Sequence, residues 1–445
     1  MERIKVGVFG AYRGSAMIQY CELSDHAEIV AVCDCWELAL ERQKALHPQS
    51  DIGWYTSFDD FLQHEMDAVV LANYATEHAP YAIRCLQAGK HVYSEVLPCQ
   101  TLREAVELIE AVEQSGAVYA YGENFCYFPA VWEMKRLYKQ GKIGEFEYGE
   151  CEYVHNCEPI WHALTYGDPD HWRNRLYCTA YCTHSIGPIL HATGLRPVSV
   201  VGFEGKRIER RLRTGSKSGA FGIEFVELEN GGLLKSLHGG LYKNSIWYCM
   251  YGTKGRMETA REDAENYDIR MLYVNADRFS GQYGPEKIEA YKPQMPQAEK
   301  SLRFGHGGSD FYAIDFFIRR ILGDANADTI DVYEAVDMAL CGIFAYRSIL
   351  NGGTPMSIPD LRLKQNRELW RGDVACTDRR LAGDQLLPSF SRSDPEIPED
   401  VYHRMKRKFQ RELENRNGYT EAAFTQSSDQ SGAHGFDRDI MMKEP

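Results

Sequence analysis

No stretch of this sequence approaches the roughly 20 consecutive apolar residues that a membrane-spanning helix needs. The opening Met1-Glu-Arg-Ile-Lys5 runs into a strand pattern with no apolar segment and small-residue cleavage site, so no secretory signal is expected. Blocks of lysine or arginine are missing too, and the net charge is −14. Such a surface repels polyanions, which argues against nucleic acid and anionic membranes as partners. Cysteine is not scarce, but a cysteine framework is: thirteen thiols, an odd number, are scattered without regular spacing. That suits a reducing compartment, taken here as the cytoplasm, with most of the thiols serving as small core hydrophobes.

What is present is ordinary for a soluble globular protein, with 44% hydrophobic and 26% charged residues. At 445 residues the chain has room for two or three domains. Ile4-Lys-Val-Gly-Val-Phe-Gly10 is a short apolar run ending in glycine, as a buried parallel strand should. A complete G-x-G-x-x-G does not follow: Gly10-Ala-Tyr12-Arg13-Gly14 is one residue short and holds Tyr12 where a second glycine is expected. A helical stretch from Ala16 to Leu23 comes next, and then the strand pattern Ile29-Val-Ala-Val-Cys-Asp34. An acid at that point can accept both adenosine ribose hydroxyls, so Asp34 favours NAD over a cofactor carrying a 2′-phosphate. Further strands are expected at Asp67–Asn73, Lys90–Glu95 and from Ala117, with helices over Glu77–Ala88 and from the Thr101-Leu-Arg-Glu104 capping box to Ser115. This alternation predicts a Rossmann-type, doubly wound parallel sheet over residues 1–122, binding its ligand at the carboxyl ends of the strands.

Beyond Gly122 the pattern changes. A helix is expected over Ala130–Gln140, then strands over Glu145–His155, Val198–Phe203, Gly222–Leu228, Gly232–Leu237, Ile246–Tyr251, Arg256–Thr259, Ile269–Val274 and Lys287–Tyr291. Asn230-Gly231 between two of them is a hairpin signal. Helices over Ser309–Leu322 and Asp331–Leu350 complete an α+β domain with a mostly antiparallel sheet over residues 123–365. Residues 366–445 are charged and poor in apolar runs. They read as a solvated extension, with a short helix over Asp400–Asn415 that docks on the body or on a neighbouring subunit.

Taken together, Val8-Phe-Gly10, Asp34, Asn73 through His78, Lys90-His-Val92 with Glu95, Gln140-Gly-Lys-Ile-Gly-Glu145 and Gly252-Thr-Lys-Gly255 resemble the Gfo/Idh/MocA oxidoreductases. The resemblance implies a nicotinamide cofactor in a cleft between the two domains, and homodimers or homotetramers formed through the sheets. Typical members read Glu-Lys-Pro after the fifth strand, where the lysine moves a proton; here the stretch is Glu95-Val96-Leu-Pro98. The usual carboxylate four residues before the catalytic histidine is replaced by Ala180. Both departures resemble the glycoside hydrolase family 109 branch, the NAD-dependent α-N-acetylgalactosaminidases. Glu123-Asn124, Tyr153, Tyr181-Cys-Thr-His184-Ser-Ile-Gly187-Pro188 and Gly305-His306-Gly-Gly-Ser-Asp310 carry that likeness. The shortened glycine corner, Cys182 for proline and the polar extension depart from it.

The resemblance implies a glycosidase acting on a sugar or glycoside, in which NAD is reduced and reoxidised within each turnover. His184 is then the base toward the sugar hydroxyl, with Tyr181 and Tyr153 as further proton carriers and Glu123 positioning sugar or nicotinamide. Cofactor contacts are expected from Gly10, Tyr12, Arg13, Gly14, Asp34, Asn73, His78, Glu95 and Asn124. Substrate contacts are expected from Glu95 and His306. Arg173, Arg175 and Lys243 read either as surface charges or as receivers of an anionic sugar substituent. A zinc site from Cys178, Cys182 and His184, near His155, Cys157 and His162, fits no standard spacing, and no metal is expected. An ordinary sugar dehydrogenase and an inactive nucleotide-binding regulator remain alternatives. A cofactor recycled at each turnover has no reason to leave, so the purified protein should release NAD on denaturation. Near-zero nucleotide and no uptake of added NAD⁺ would remove the cofactor; uptake of NADP alone would overturn the reading of Asp34.

Overall fold

The computed structural model describes residues 3–48, 51–263, 272–275 and 288–424. The first domain is a six-stranded, all-parallel sheet: β1 (Ile4–Phe9), β2 (Ala27–Cys33), β3 (Gly53–Tyr55), β4 (Ala68–Leu71), β5 (His91–Ser94) and β6 (Tyr119–Tyr121). Their spatial order is β3-β2-β1-β4-β5-β6. Val6, Val8 and all of Ala68–Leu71 are buried, because helices cover both faces of the sheet and leave no room for polar alternation. The order reverses between β1 and β4, and at that crevice such folds take their ligands. The chain turns there on Gly10, at φ +103, where a Cβ would stand 2.3 Å from the Ala72 carbonyl oxygen. A Cβ on Gly14 would stand 2.4 Å from Val8 and 2.5 Å from the Gly10 carbonyl oxygen. The shortened corner is therefore a close-packed turn that accepts only glycine at these two places.

The second domain is built on a nine-stranded sheet. Its strands are β7 (Phe146–Val154), β8 (Pro197–Glu204), β9 (Phe221–Leu228), β10 (Leu233–Gly239), β11 (Ser245–Gly252), β12 (Gly255–Thr259), β13 (Leu272–Asn275), β14 (Ile288–Glu289) and β15 (Met356–Ser357). All pairs are antiparallel except β7 with β10. Asn230-Gly231 makes the β9–β10 turn, with Gly231 at φ +83. Residues 269–271 and 287 of the expected strands lie outside the described residues. One face carries Cys151, Glu224, Ser236 and Tyr248 in a row and is covered by the Thr183–Thr193 helix; the Val332–Leu350 helix packs over β8. The other face carries Phe203, Phe225, Leu233 and Tyr251, all exposed.

The expectation of a solvated extension is corrected within the described residues. Arg367 is 1% exposed and donates to both Glu113 oxygens and to the Leu361 carbonyl, at 2.5–2.7 Å. Arg371 forks onto Glu110, and Asp373 receives Arg347. Asp378 receives Arg175 at 2.6 Å, and Phe390 and Val401 are buried. Polar composition concealed this strap because its interface is made of arginine forks on carboxylates, not an apolar stripe. The Glu399–Phe424 helix then docks on the body of the same chain: His162 meets Glu412 at 2.5 Å and Tyr402 donates to the Gly215 carbonyl. Among the described residues no helix is long and apolar enough to cross a membrane.

Arg367→Ala should cost about 2–3 kcal/mol in chemical denaturation, since a buried guanidinium and its charge-assisted bonds are lost. Arg371→Ala, at a more exposed pair, should cost at most about 1 kcal/mol. Equal effects would show that the strap is not anchored at Arg367.

Candidate active site

The carboxyl ends of β1, β4, β5 and β6 open on the cleft. Asp34, just past β2, accepts the Ala11 amide at 2.8 Å and the Trp36 amide at 2.9 Å, one on each oxygen. Partial burial raises its pKa, against the pull of those two N–H groups. The second lone pair of each oxygen remains for ribose hydroxyls. Asn73, at the end of β4, has both polar side-chain atoms buried without a hydrogen-bond partner. An orphaned amide beside the Gly10–Gly14 corner fits a polar ligand seated there, and the corner brings backbone close enough for a pyrophosphate. Tyr12 flanks the corner, half exposed. His78 stands differently from expectation. It is buried, with its ring nitrogens 3.0 Å from the Leu97 carbonyl and 3.2 Å from the Asn73 carbonyl, and burial lowers its pKa to about 4. It ties two loops together as a neutral imidazole and positions Asn73 through its backbone.

Arg13 joins the corner to the second domain. It donates to Glu95 at 3.0 Å and to both oxygens of Asp310 at 3.0 and 3.1 Å. Asn124 donates to Asp310 at 2.8 Å, and His306 Nδ1 lies 2.9 Å from it. Burial alone would raise the Asp310 carboxyl, but Arg13 and His306 outweigh it and hold it well below the ordinary carboxylate range. The Glu95 carboxyl is raised by burial and by the Asp310 charge, against the pull of Arg13. Arg13, Glu95, Asn124 and His306 thus form one charged knot.

The second cluster centres on His184, in the first turn of its helix. Its Nδ1 lies 2.5 Å from Glu123 Oε1, and its ring stacks on Phe125 at 4.4 Å. Tyr153 and Tyr181 meet the ring edge-on, at 4.7 and 5.2 Å. Tyr248 Oη donates to the His184 carbonyl at 2.7 Å. Glu123 is fully buried, with Oε1 on the imidazole and Oε2 buried without a hydrogen-bond partner. It supplies the carboxylate that Ala180 does not, from the loop after β6. Val96 is buried in the core, with no group to move a proton. Burial raises the Tyr181 phenol, against the Arg173 guanidinium, and keeps it protonated at neutral pH.

Arg173 lies over the rings of Trp172 and Tyr181, and among the described residues no salt bridge reaches it. Arg175, in contrast, is committed to Asp378. Lys243 is exposed on the turn before β11. Three residues take parts that the sequence did not assign to them. Asp310 closes a motif whose His306 lies one helical turn before it, a spacing that could have flagged it. Phe125 follows Glu123-Asn124. His155 Nδ1 lies 3.4 Å from both Tyr153 Oη and Cys157 Sγ, and despite burial His155, Arg173 and Arg211 draw the Cys157 thiol below its ordinary value. Cys178 and Cys182 are buried, and among the described residues no three His, Cys, Asp or Glu side chains are grouped to hold a metal ion.

Residues 4–123 match the Gfo/Idh/MocA model, described as an oxidoreductase family with an NAD-binding Rossmann fold. Residues 277–366 match the C-terminal domain of glycosyl hydrolase 109. The chain is 23% identical over 411 residues to a glycosyl hydrolase family 109 protein of Porphyromonas gingivalis, covering 81% of this chain and 85% of that protein. Among solved structures it is similar to an oxidoreductase of Agrobacterium radiobacter in complex with NAD⁺, L-tartaric acid and magnesium, with a TM-score of 0.63 and 13% identity over 80% of this chain and 99% of that one. It is likewise similar to the WlbA dehydrogenase of Bordetella pertussis in complex with NADH and UDP-GlcNAcA, with a TM-score of 0.61 and 20% identity over the same shares.

Asp310→Asn should lower stability at neutral pH by about 3 kcal/mol, because it leaves Arg13 and His306 short of a charge partner. An unfolded aspartate titrates near pH 4 and folded Asp310 well below it, so its contribution is full above that pH and is lost as pH falls further. Denaturation at pH 7 and pH 3.5 should therefore show the variant and wild type converging in acid; a gap that widens there would overturn this account of Asp310.

Proposed function

From an NAD-binding Gfo/Idh/MocA domain joined to a glycosyl hydrolase 109 C-terminal domain, we propose an NAD-dependent glycosidase that cleaves its substrate by transient oxidation at sugar carbon 3. The single observation that carries this reading is the His184–Glu123 pair inside a ring of tyrosines, with a buried valine where a dehydrogenase of this type has lysine. When bound, NAD would supply a hydride acceptor and later the donor at carbon 3. Gly10, Gly14, Asp34 and Asn73 would hold it, with the Arg13–Asp310 knot beside the corner.

His184 takes the proton of the carbon 3 hydroxyl on Nε2, while Glu123 holds Nδ1 and fixes the tautomer. Tyr153 removes the acidified proton at carbon 2. Tyr181, kept protonated, gives its proton to the oxygen leaving carbon 1. Water then adds across the double bond: its hydroxyl goes to carbon 1 as Tyr181 takes back a proton from it, Tyr153 returns a proton to carbon 2, and His184 returns its proton to the oxygen at carbon 3. No net redox change results, so the scheme stands apart from glycosidases that use two carboxylates. Arg173, whose charge has no carboxylate partner among the described residues, receives an anionic substituent of the glycoside. The working form is a cytoplasmic homodimer or homotetramer joined through the open sheet face, where Phe203, Phe225, Leu233 and Tyr251 are exposed. The similar dehydrogenase structures favour a second reading, a sugar dehydrogenase using His184 alone.

One experiment separates the two. Hydrolysis of nitrophenyl glycosides in D₂O should place deuterium at carbon 2 of the released sugar with no build-up of NADH, and His184→Ala should slow it roughly 10²–10⁴-fold. Cleavage without deuterium, and without an isotope effect from substrate labelled at carbon 2, would reject the elimination. NADH formed in proportion to product would establish the dehydrogenase.

A further inference from the structure

The Glu399–Phe424 helix does not merely rest on the surface; its seat is built into the body of the protein. Gly167, at φ +68, lies so close to it that a Cβ would stand 2.2 Å from the Lys406 backbone nitrogen. Gly215 is pressed the same way against the Tyr402 ring, at 2.5 Å. Lys408 donates to the Pro159 carbonyl and Arg404 to the Arg213 carbonyl. Two glycines, the buried His162 and three backbone carbonyls are thus committed to one docking position.

That position puts Phe409 opposite the end of β2. The Phe409 ring lies 5.1 Å from Tyr166 and 6.1 Å from Trp36, and Trp36 and Tyr166 are 5.5 Å apart. Trp36 is two residues beyond Asp34 and donates its amide to that carboxylate. Tyr166 also faces it: burial, with the Asp34 charge beside it, pushes its phenol up to about 12. Between the helix and the glycine corner is a small recess, partly open to solvent, lined by Tyr12, Trp36, Tyr166 and Phe409 among others. Tyr12 belongs to the glycine corner and Trp36 donates its amide to Asp34, so the recess adjoins both. In a dinucleotide cleft the group that comes next is the adenine. The three rings pack on one another and, with Tyr12, present an aromatic wall beside the ribose acceptor that suits the flat π-face of a purine.

We propose that the Glu399–Phe424 helix is a clasp over the adenosine end of the cofactor cleft, with adenine stacked against the wall that Trp36, Tyr166 and Phe409 form. The helix turns an open Rossmann crevice into a covered one, so NAD stays bound through successive turnovers. The clasp rests on the NAD-binding assignment of the first domain and gives the distal helix a task in cofactor retention.

The full-length protein, stripped of nucleotide, is titrated with NAD⁺ and separately with ADP-ribose by calorimetry, alongside thermal melts without ligand. Loss of one stacking ring typically weakens a base contact about 10-fold. Phe409→Ala should therefore raise the Kd for both ligands about 10-fold while shifting the unliganded melt little, and Phe409→Trp should restore both affinities. Unchanged affinity in Phe409→Ala, or loss of NAD⁺ affinity without loss of ADP-ribose affinity, would overturn the clasp. So would a loss that Phe409→Trp fails to rescue. Wild-type protein that binds neither ligand would instead reject the cofactor assignment and the clasp together.

Discussion

One buried carboxylate governs the arrangement of the cleft. Asp310 takes Arg13 from the glycine corner, Asn124 from the loop after β6 and His306 from the segment before its own helix. A charge in this setting is tolerable only because every donor around it is aimed at it. The same bonds keep Arg13 from lying free in the cleft and hold the loop that carries Glu123 and Phe125, on which the His184 ring rests. Remove the carboxylate and the corner and the His184 ring lose their common reference point.

The large sheet divides its labour by face. Toward the cleft it presents Tyr153, Ile246 and His238 in one row and Cys151, Tyr248, Ser236 and Glu224 in the next, roofed by the helix that bears His184. Burial raises the Glu224 carboxyl to about 8, so at neutral pH it is mostly a neutral acid inside the domain. The opposite face mixes exposed aromatics with ion pairs such as Lys235–Glu150 and Arg261–Glu152.

What was legible in the sequence follows from how local each signal is. Ile4–Phe9 and Ala68–Leu71 announce buried parallel strands because both their faces are covered; Asn230-Gly231 announces its turn because few residues accept that backbone. His184 and Tyr181 sit close enough in the chain for their meeting to be foreseen. Glu123 with His184, Arg13 with Asp310, and Arg367 with Glu113 are charge pairs between distant segments, and no periodicity records them. For the same reason the strap read as solvated chain: a polar interface and a polar surface have the same composition. The short strand Gly53–Tyr55 escaped notice because three half-buried residues carry no pattern.

The arginine strap has a consequence for how the chain is made. The Leu102–Ser115 helix leaves the ribosome long before Arg367 and Arg371 exist, with Glu110 and Glu113 waiting on its surface for them. An apolar docking face left bare for that interval would invite association with other nascent chains. Two carboxylates in water invite none. Closing this seam with guanidinium forks leaves that edge of the helix hydrated until a segment that arrives late completes it.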